Sequence, residues 1–167
     1  MTAADAIDRW AGQYGPRLRQ LALRILSDAA LAEDVVQESF LHALQHFDRY
    51  RPGADPYVWL RTIAVRAAID RLRRLGRWTS DSNLIDQPAA DSADAWARRQ
   101  QLAEHLQSAL GQLSAMERLA FLLRHVEQCD TAEVAAALGT NPNNSKQVTF
   151  RALQKLRAAM RAWREEG

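Results

Sequence analysis

Residues 130–157 read DTAEVAAALGTNPNNSKQVTFRALQKLR, and the punctuation of this stretch sets the fold expected of its end of the chain. Asp130 followed three residues later by Glu133 is a capping-box pattern, in which each side chain accepts from the other's backbone N–H, so a helix should begin at Thr131. Gly139 lacks a Cβ and suits the left-handed conformation that closes a helix after Leu138. Asn141 can cap the next helix, and Pro142 fits its first position, where no amide hydrogen is needed. A short helix, a glycine-containing turn and a longer helix make a helix-turn-helix, whose second helix enters the DNA major groove. That second helix carries Lys146, Arg151, Lys155, Arg157, Arg161 and Arg164, with no acidic residue from Lys146 to Arg164.

Working outward, Ser114 and Glu117 repeat the capping box, so helices should start near Ala115 and, before it, cover about Trp96 to Leu110. Upstream lies a change of character. Ser80, Asp81, Ser82, Asn83, Asp86, Pro88, Asp91, Ser92 and Asp94 read as a flexible acidic linker, with Leu84, Ile85 and Trp96 available to dock on a partner or a domain surface. Helical periodicity returns ahead of it. A first helix should span Ile7 to Leu26, with Leu18, Leu21, Ala22 and Ile25 on one face and a break at Gly15-Pro16. A second should run from Ala29 to Phe47, with Leu31, Val35, Phe40, Leu44 and Phe47 recurring near helical spacing. Residues 50–55 form a loop, Asp55 and Pro56 open a third helix through Trp59, Ile63 and Ile69 to about Leu75, and Gly76 ends it. No alternating strand pattern is present. The expected fold is all-α: two small helical domains, 1–76 and 98–167, joined by a linker over 77–97.

Composition narrows the function. The chain has 167 residues, 47% of them hydrophobic, which suffices for globular cores. Its longest apolar runs fall far short of the ~20 residues of a membrane span. The N-terminus carries Asp5 and Asp8 and lacks the basic-then-apolar order of a signal peptide. With Cys129 as the single cysteine, an intrachain disulfide and a cysteine-based zinc site are excluded, and a cytoplasmic protein without membrane insertion is expected. The net charge of +2 hides a strong asymmetry. Asp28, Glu33, Asp34, Glu38 and Asp48 occur with no Lys or Arg among them, whereas Arg61, Arg66, Arg71, Arg73, Arg74 and Arg77 face a single Asp70. Two basic helices separated by acidic and neutral sequence point to two contacts with a polyanion, although a solvated helix face is the commoner fate of a charge run.

Catalytic signals are missing: there is no Gly-rich phosphate loop, nucleophile elbow or kinase motif. His42 and His46 are four apart, one turn beyond Glu38, a spacing compatible with a metal. The His-Glu-x-x-His core is lacking, so surface histidines are the preferred reading and neither metal nor cofactor is expected. Cys129 reads as a small core residue.

Two separated stretches carry a family resemblance. Leu31-Ala32-Glu33-Asp34-Val35-Val36-Gln37-Glu38-Ser39-Phe40 looks like the start of the polymerase-binding helix of sigma region 2. Trp59-Leu60, Ile63-Ala64 and Asp70 through Arg73-Arg74 follow at the spacing of its promoter-melting helix. Thr131-Ala132-Glu133-Val134-Ala135 with Leu138-Gly139, then Lys146, Arg151-Ala152 and Lys155-Leu156-Arg157, resemble the region 4 helix-turn-helix. In this order, covering nearly the whole chain, they resemble the small extracytoplasmic-function class of RNA polymerase sigma factors. The chain departs from that pattern at Arg66, where the family often has Asn, and at Asn143-Asn144-Ser145, where it commonly has Gly-Thr-Val. It also departs at Val148, Thr149 and Leu153.

The resemblance implies a non-enzymatic initiation factor whose partners are core RNA polymerase, promoter DNA and an anti-sigma factor. Asp34, Val35, Gln37, Glu38 and Leu41 would grip the polymerase. Tyr50, Arg51, Tyr57, Arg61, Arg66, Arg73 and Arg74 would serve the downstream promoter element, the arginines neutralising phosphates. The Tyr50–Tyr57 loop is the candidate pocket for an unstacked base, where aromatic stacking is worth ~1–3 kcal/mol per base. Packing and stacking are equally open for Tyr50 and Tyr57, whereas Trp59 reads as a core anchor. Asn143, Asn144, Lys146, Gln147, Phe150 and Arg151 would read the upstream element, with Val148 or Thr149, Ala152, Leu156 and Met160 packed inward; an exposed Val148 would instead meet a thymine methyl. An autonomous helix-turn-helix regulator and a sigma-like adaptor without promoter reading are the competing accounts.

Overall fold

The computed structural model describes residues 2–79 and 94–166, and every regular element among them is helical. The chain forms two compact units, Met1–Arg77 and Trp78–Gly167. The all-α expectation holds. The acidic segment, with Leu84 and Ile85, lies outside the described residues, as does the side chain of Trp96. None of the described helices is long and apolar enough to cross a membrane.

In the first unit, α1 (Ala3–Leu26), α2 (Ala29–Gln45) and α3 (Pro56–Arg74) each pack on the other two. Thr2 and Asp5 form a capping box that starts α1 before the expected Ile7, and its hydrogen bonds to Thr2 pull the Asp5 carboxyl below its ordinary value. The expected break at Gly15-Pro16 does not occur, since α1 runs through Pro16. A helix-interior proline costs about 3 kcal/mol. Leu18, Leu21, Ala22, Ile25 and Leu26, all buried beyond it, offset that cost by packing, which supplies most helical stability in proteins. Gly15 itself is buried beside the ring of Phe40.

Asp28 caps α2, accepting from the Leu31 N–H at 3.0 Å. The inward face of α2 is Ala32, Val35, Val36, Ser39 and Ala43 rather than the expected larger stripe; Leu44 is 40% exposed. The face is made mostly of small residues, and the Ser39 hydroxyl is satisfied by donating to the Val35 carbonyl at 2.6 Å. The helix stops at Gln45, and Phe47–Arg49 is a separate 3₁₀ turn. Asp55 caps α3 through the Tyr57 N–H at 2.9 Å, with Pro56 in the first position. Gly76, at φ 66°, ends it with Arg77 N–H reaching back to the Leu72 carbonyl.

The second unit contains α4 (Asp94–Gly111), α5 (Ala115–Phe121), α6 (Thr131–Leu138) and α7 (Pro142–Glu166). Residues 94–97, assigned above to the linker, belong to α4. Both capping boxes form as expected, and Asn141 accepts from the Asn144 N–H at 2.9 Å. Gly139 is left-handed at φ 69°. One turn was not legible beforehand: α5 continues as a π-helical turn, Leu122–Val126, which buries Leu122 and Leu123. Arg118 is also buried, donating from Nε to the Leu110 carbonyl at 3.0 Å and from Nη2 to Leu113 at 3.4 Å. It thereby satisfies carbonyls at and just beyond the end of α4. Burial pulls its pKa down. Cys129 is a small buried residue of this unit.

Candidate functional site

Three surfaces gather the sequence-predicted residues. On α2, Asp34, Gln37, Glu38 and Leu41 stand exposed on one face, as spacings of three and four require. Leu41 is 60% exposed, and Leu44, a member of the expected periodic stripe, continues the face at 40%. Val35 is a correction. It is 0% exposed and belongs to the core, because its position turns it toward α1 and α3 rather than outward. The acidic charge is partly answered from within: Arg71 of α3 places Nη2 3.2 Å from Glu38 Oε2 and Nη1 3.9 Å from Asp34 Oδ2. Glu33, on the flank of this face, pairs instead with Arg19 of α1 at 2.6 Å, which holds its carboxyl below the ordinary range.

The loop before α3 is built on rings. Tyr50 packs 4.9 Å from Trp10, 5.4 Å from Trp59 and 5.9 Å from Phe47, centre to centre, and its hydroxyl donates to the Ala54 carbonyl. These contacts fix the ring of Tyr50, which stays half-exposed. Trp59 joins the same cluster, in keeping with its reading as an anchor. Tyr57 is a second correction: it is 3% exposed, with the Arg17 guanidinium 3.8 Å from its ring centre and Tyr14 at 5.7 Å, so its ring offers no platform to a base. Arg61 is a third. At 9% exposure, 5.9 Å from the Tyr57 ring, it sits on the packed side of α3. Arg51, Arg66, Arg73 and Arg74 remain exposed. Arg17 was missed because nothing in the spacing of α1 links it to a tyrosine forty residues later.

On α7 the inward face is Ser145, Val148, Ala152 and Leu156, with Met160 half-buried. Val148, 1% exposed, is therefore not available to a thymine methyl. Asn143, Lys146, Gln147 and Phe150 face outward, Phe150 at 58% exposure. Asn144 is half-buried and donates from Nδ2 to Thr140 Oγ1 at 2.8 Å, so its side chain is engaged in the turn. Arg151 leans toward α5, its Nε 3.7 Å from Glu117 Oε1. Among the described residues no group of three or more His, Cys, Asp or Glu is placed to hold a metal ion. The rings of His42 and His46 lie 4.4 Å apart.

Residues 10–78 match the family model of Sigma-70 region 2, and residues 103–156 that of Sigma-70, region 4. RNA polymerase sigma factor CarQ of Myxococcus xanthus is 33% identical over 155 residues, 93% of this chain and 89% of that protein. ECF RNA polymerase sigma factor SigL of Mycobacterium tuberculosis is 34% identical over 154 residues, 89% and 85% of the two chains. Among solved structures, the sigma factor RpoE in complex with the anti-sigma factor NepR from Bartonella quintana superposes with a TM-score of 0.71 at 26% identity, covering 92% of this chain and 96% of that one. CnrH in complex with the cytosolic domain of CnrY gives 0.64 at 25% identity, covering 95% and 90%. Both regions occur in one chain, in order, on the three-helix unit and the helix-turn-helix unit described above. The chain belongs to the sigma-70 family of RNA polymerase sigma factors, in its extracytoplasmic-function class, whose members are transcription factors rather than enzymes.

Proposed function

We propose that this sigma factor docks on core RNA polymerase through the exposed face of α2, formed by Asp34, Gln37, Glu38 and Leu41. The observation that carries the assignment is Leu41, 60% exposed among acidic neighbours. An apolar side chain ringed by charge supplies burial, while the charges orient a basic partner. The first unit also engages the downstream promoter element through Arg51, Arg66, Arg73 and Arg74, with the loop at residues 50–55, held by Tyr50, as the receiver of an unstacked base. The second unit reads the upstream element with Asn143, Lys146, Gln147 and Phe150 of α7. Acting on polymerase and DNA, the protein works in the cytoplasm. An anti-sigma protein covers one of these surfaces at rest, a reading supported by the sigma–anti-sigma complex of RpoE with NepR. The presence of both regions in one chain disfavours an autonomous helix-turn-helix regulator.

The test is a titration of fluorescent full-length protein with core polymerase. Replacing Asp34 and Glu38 with Lys should weaken binding at least tenfold while the far-ultraviolet circular dichroism stays that of the parent. Undiminished binding by the folded variant would remove the α2 face from the account.

A further inference from the structure

Glu117 is the most buried acidic side chain among the described residues, at 2% exposure, and it is not itself a candidate contact for polymerase or DNA. It stands in the first turn of α5, where its Oε2 accepts from the Ser114 N–H at 3.1 Å. Its remaining capacity is directed at α7. Lys155 Nζ donates to Oε2 at 2.9 Å and to Oε1 at 3.0 Å, and Arg151 Nε approaches Oε1 at 3.7 Å. Those two cations are one helical turn apart on the same helix. They occupy the flank between the buried face, Val148 and Ala152, and the exposed face, Gln147 and Phe150.

A cation at that flank borders the groove-facing surface. Phosphate contacts from such positions raise affinity for any DNA and carry no sequence information. Specificity is the ratio of specific to non-specific binding, so every extra phosphate contact that all sequences share leaves that ratio unimproved while populating wrong sites. A buried carboxylate already hydrogen-bonded to Lys155 competes directly with phosphate for the same donors.

We infer that Glu117 is a positioning residue for promoter reading: it holds Arg151 and Lys155 back from the phosphate backbone, leaving α7 to engage DNA through Asn143, Lys146, Gln147 and Phe150. The inference rests on the assignment of α7 as the reading helix. It converts Arg151 from a DNA contact into a group restrained by its own protein.

The experiment measures the salt dependence of binding of the full chain to a random-sequence duplex of 30 base pairs, as the slope of log affinity against log salt concentration. Each phosphate-bound cation contributes about 0.9 to that slope. Glu117→Gln keeps an oxygen for Ser114 and removes the charge; the slope should steepen by about one to two, and affinity at low salt should rise severalfold. Adding Arg151→Ala to that variant should reverse the steepening by about one, whereas Arg151→Ala in the parent should leave the slope unchanged. A slope that falls by about one on Arg151→Ala in the parent overturns the inference, as does an unchanged slope in folded Glu117→Gln. Where Glu117→Gln fails to fold, the parent-background Arg151→Ala measurement decides alone. Lys146→Ala separates the two levels: a slope lowered by about one upholds α7 as the DNA-facing helix, and an unaltered slope overturns that assignment and the inference with it.

Discussion

Lys155 Nζ lies 2.9 and 3.0 Å from the two carboxylate oxygens of Glu117, joining α7 to α5 across 38 residues of sequence. The partners are unequal: Glu117 is 2% exposed and Lys155 42%. Removing the lysine leaves a buried carboxylate with the Ser114 N–H and the more distant Arg151. Lys155→Ala should therefore cost roughly 1–3 kcal/mol, the penalty of an under-satisfied buried group. Thermal melts followed by circular dichroism measure it. A loss within about 0.5 kcal/mol, as for an ordinary surface position, would show that the pair contributes nothing.

Val35 and Leu41 separate core from surface on one helix. Val35→Asp buries an unpaired charge at a site with 0% exposure and should unfold the first unit at ordinary temperatures. Leu41→Asp, at 60% exposure, should leave the urea midpoint unmoved yet weaken binding to core polymerase. Equal stability losses in the two variants would contradict the orientation of α2.

The ring cluster yields a graded pair. Tyr50→Phe keeps the stacking on Trp10 and Trp59 and removes only the hydrogen bond to Ala54, costing about 1 kcal/mol. Trp10→Ala empties a site 5% exposed that touches Phe47, Tyr50 and Trp59, and should cost about 3–5 kcal/mol. Denaturant titration compares the two, and a Tyr50→Phe loss as large as that of Trp10→Ala would place the loop's stability in the hydroxyl instead of the rings.

Two histidines set a pH dependence. Partial desolvation first, then the neighbouring His46, Arg49 and Arg66, lower His42 from the ordinary histidine value against the opposing pull of Glu38, although the residue as a whole is exposed. Partial desolvation, Arg124 and Arg157 do the same to His125, which is also exposed. The unfolded chain takes up these protons first as pH falls, so it binds more protons than the folded state just below the ordinary value of ~6.5. Stability therefore decreases as pH drops through that window and recovers above it. His42→Gln should flatten the pH profile of urea midpoints in the first unit without altering them at alkaline pH. A variant that retains the parent's slope would exclude His42 as a source.

Much of the architecture was legible because it is written in local chemistry. The Ser114–Glu117 and Asp130–Glu133 boxes, the Asn141 cap and the left-handed Gly139 each depend on residues three or four apart, and all formed as read. What escaped depends on distant partners. Pro16 was read as a break because local propensity disfavours it, while the cost is met by packing that no local window contains. The periodic stripe of Leu31, Val35, Phe40, Leu44 and Phe47 shares only Val35 with the buried face of α2, which is otherwise Ala32, Val36, Ser39 and Ala43, because its packing against α1 and α3 sets which side turns inward. Among the candidate contacts, the outward residues of α2 and α7 followed from periodicity. Tyr57 did not, because its ring is covered by Arg17 and Tyr14 of another helix, and Arg61 follows it one turn later onto the same side of α3. Arg151 is exposed as periodicity requires, but its approach to Glu117 of α5 is not written in the spacing of α7.

The most direct test of the central claim is run-off transcription by core RNA polymerase on fragmented DNA of the source genome, with and without this protein. The account predicts discrete new transcripts, present only with the protein, whose start sites share a pair of upstream and downstream elements. They should vanish with the Asp34→Lys, Glu38→Lys variant. Core polymerase that binds the protein yet initiates at no new site would contradict promoter direction by this chain.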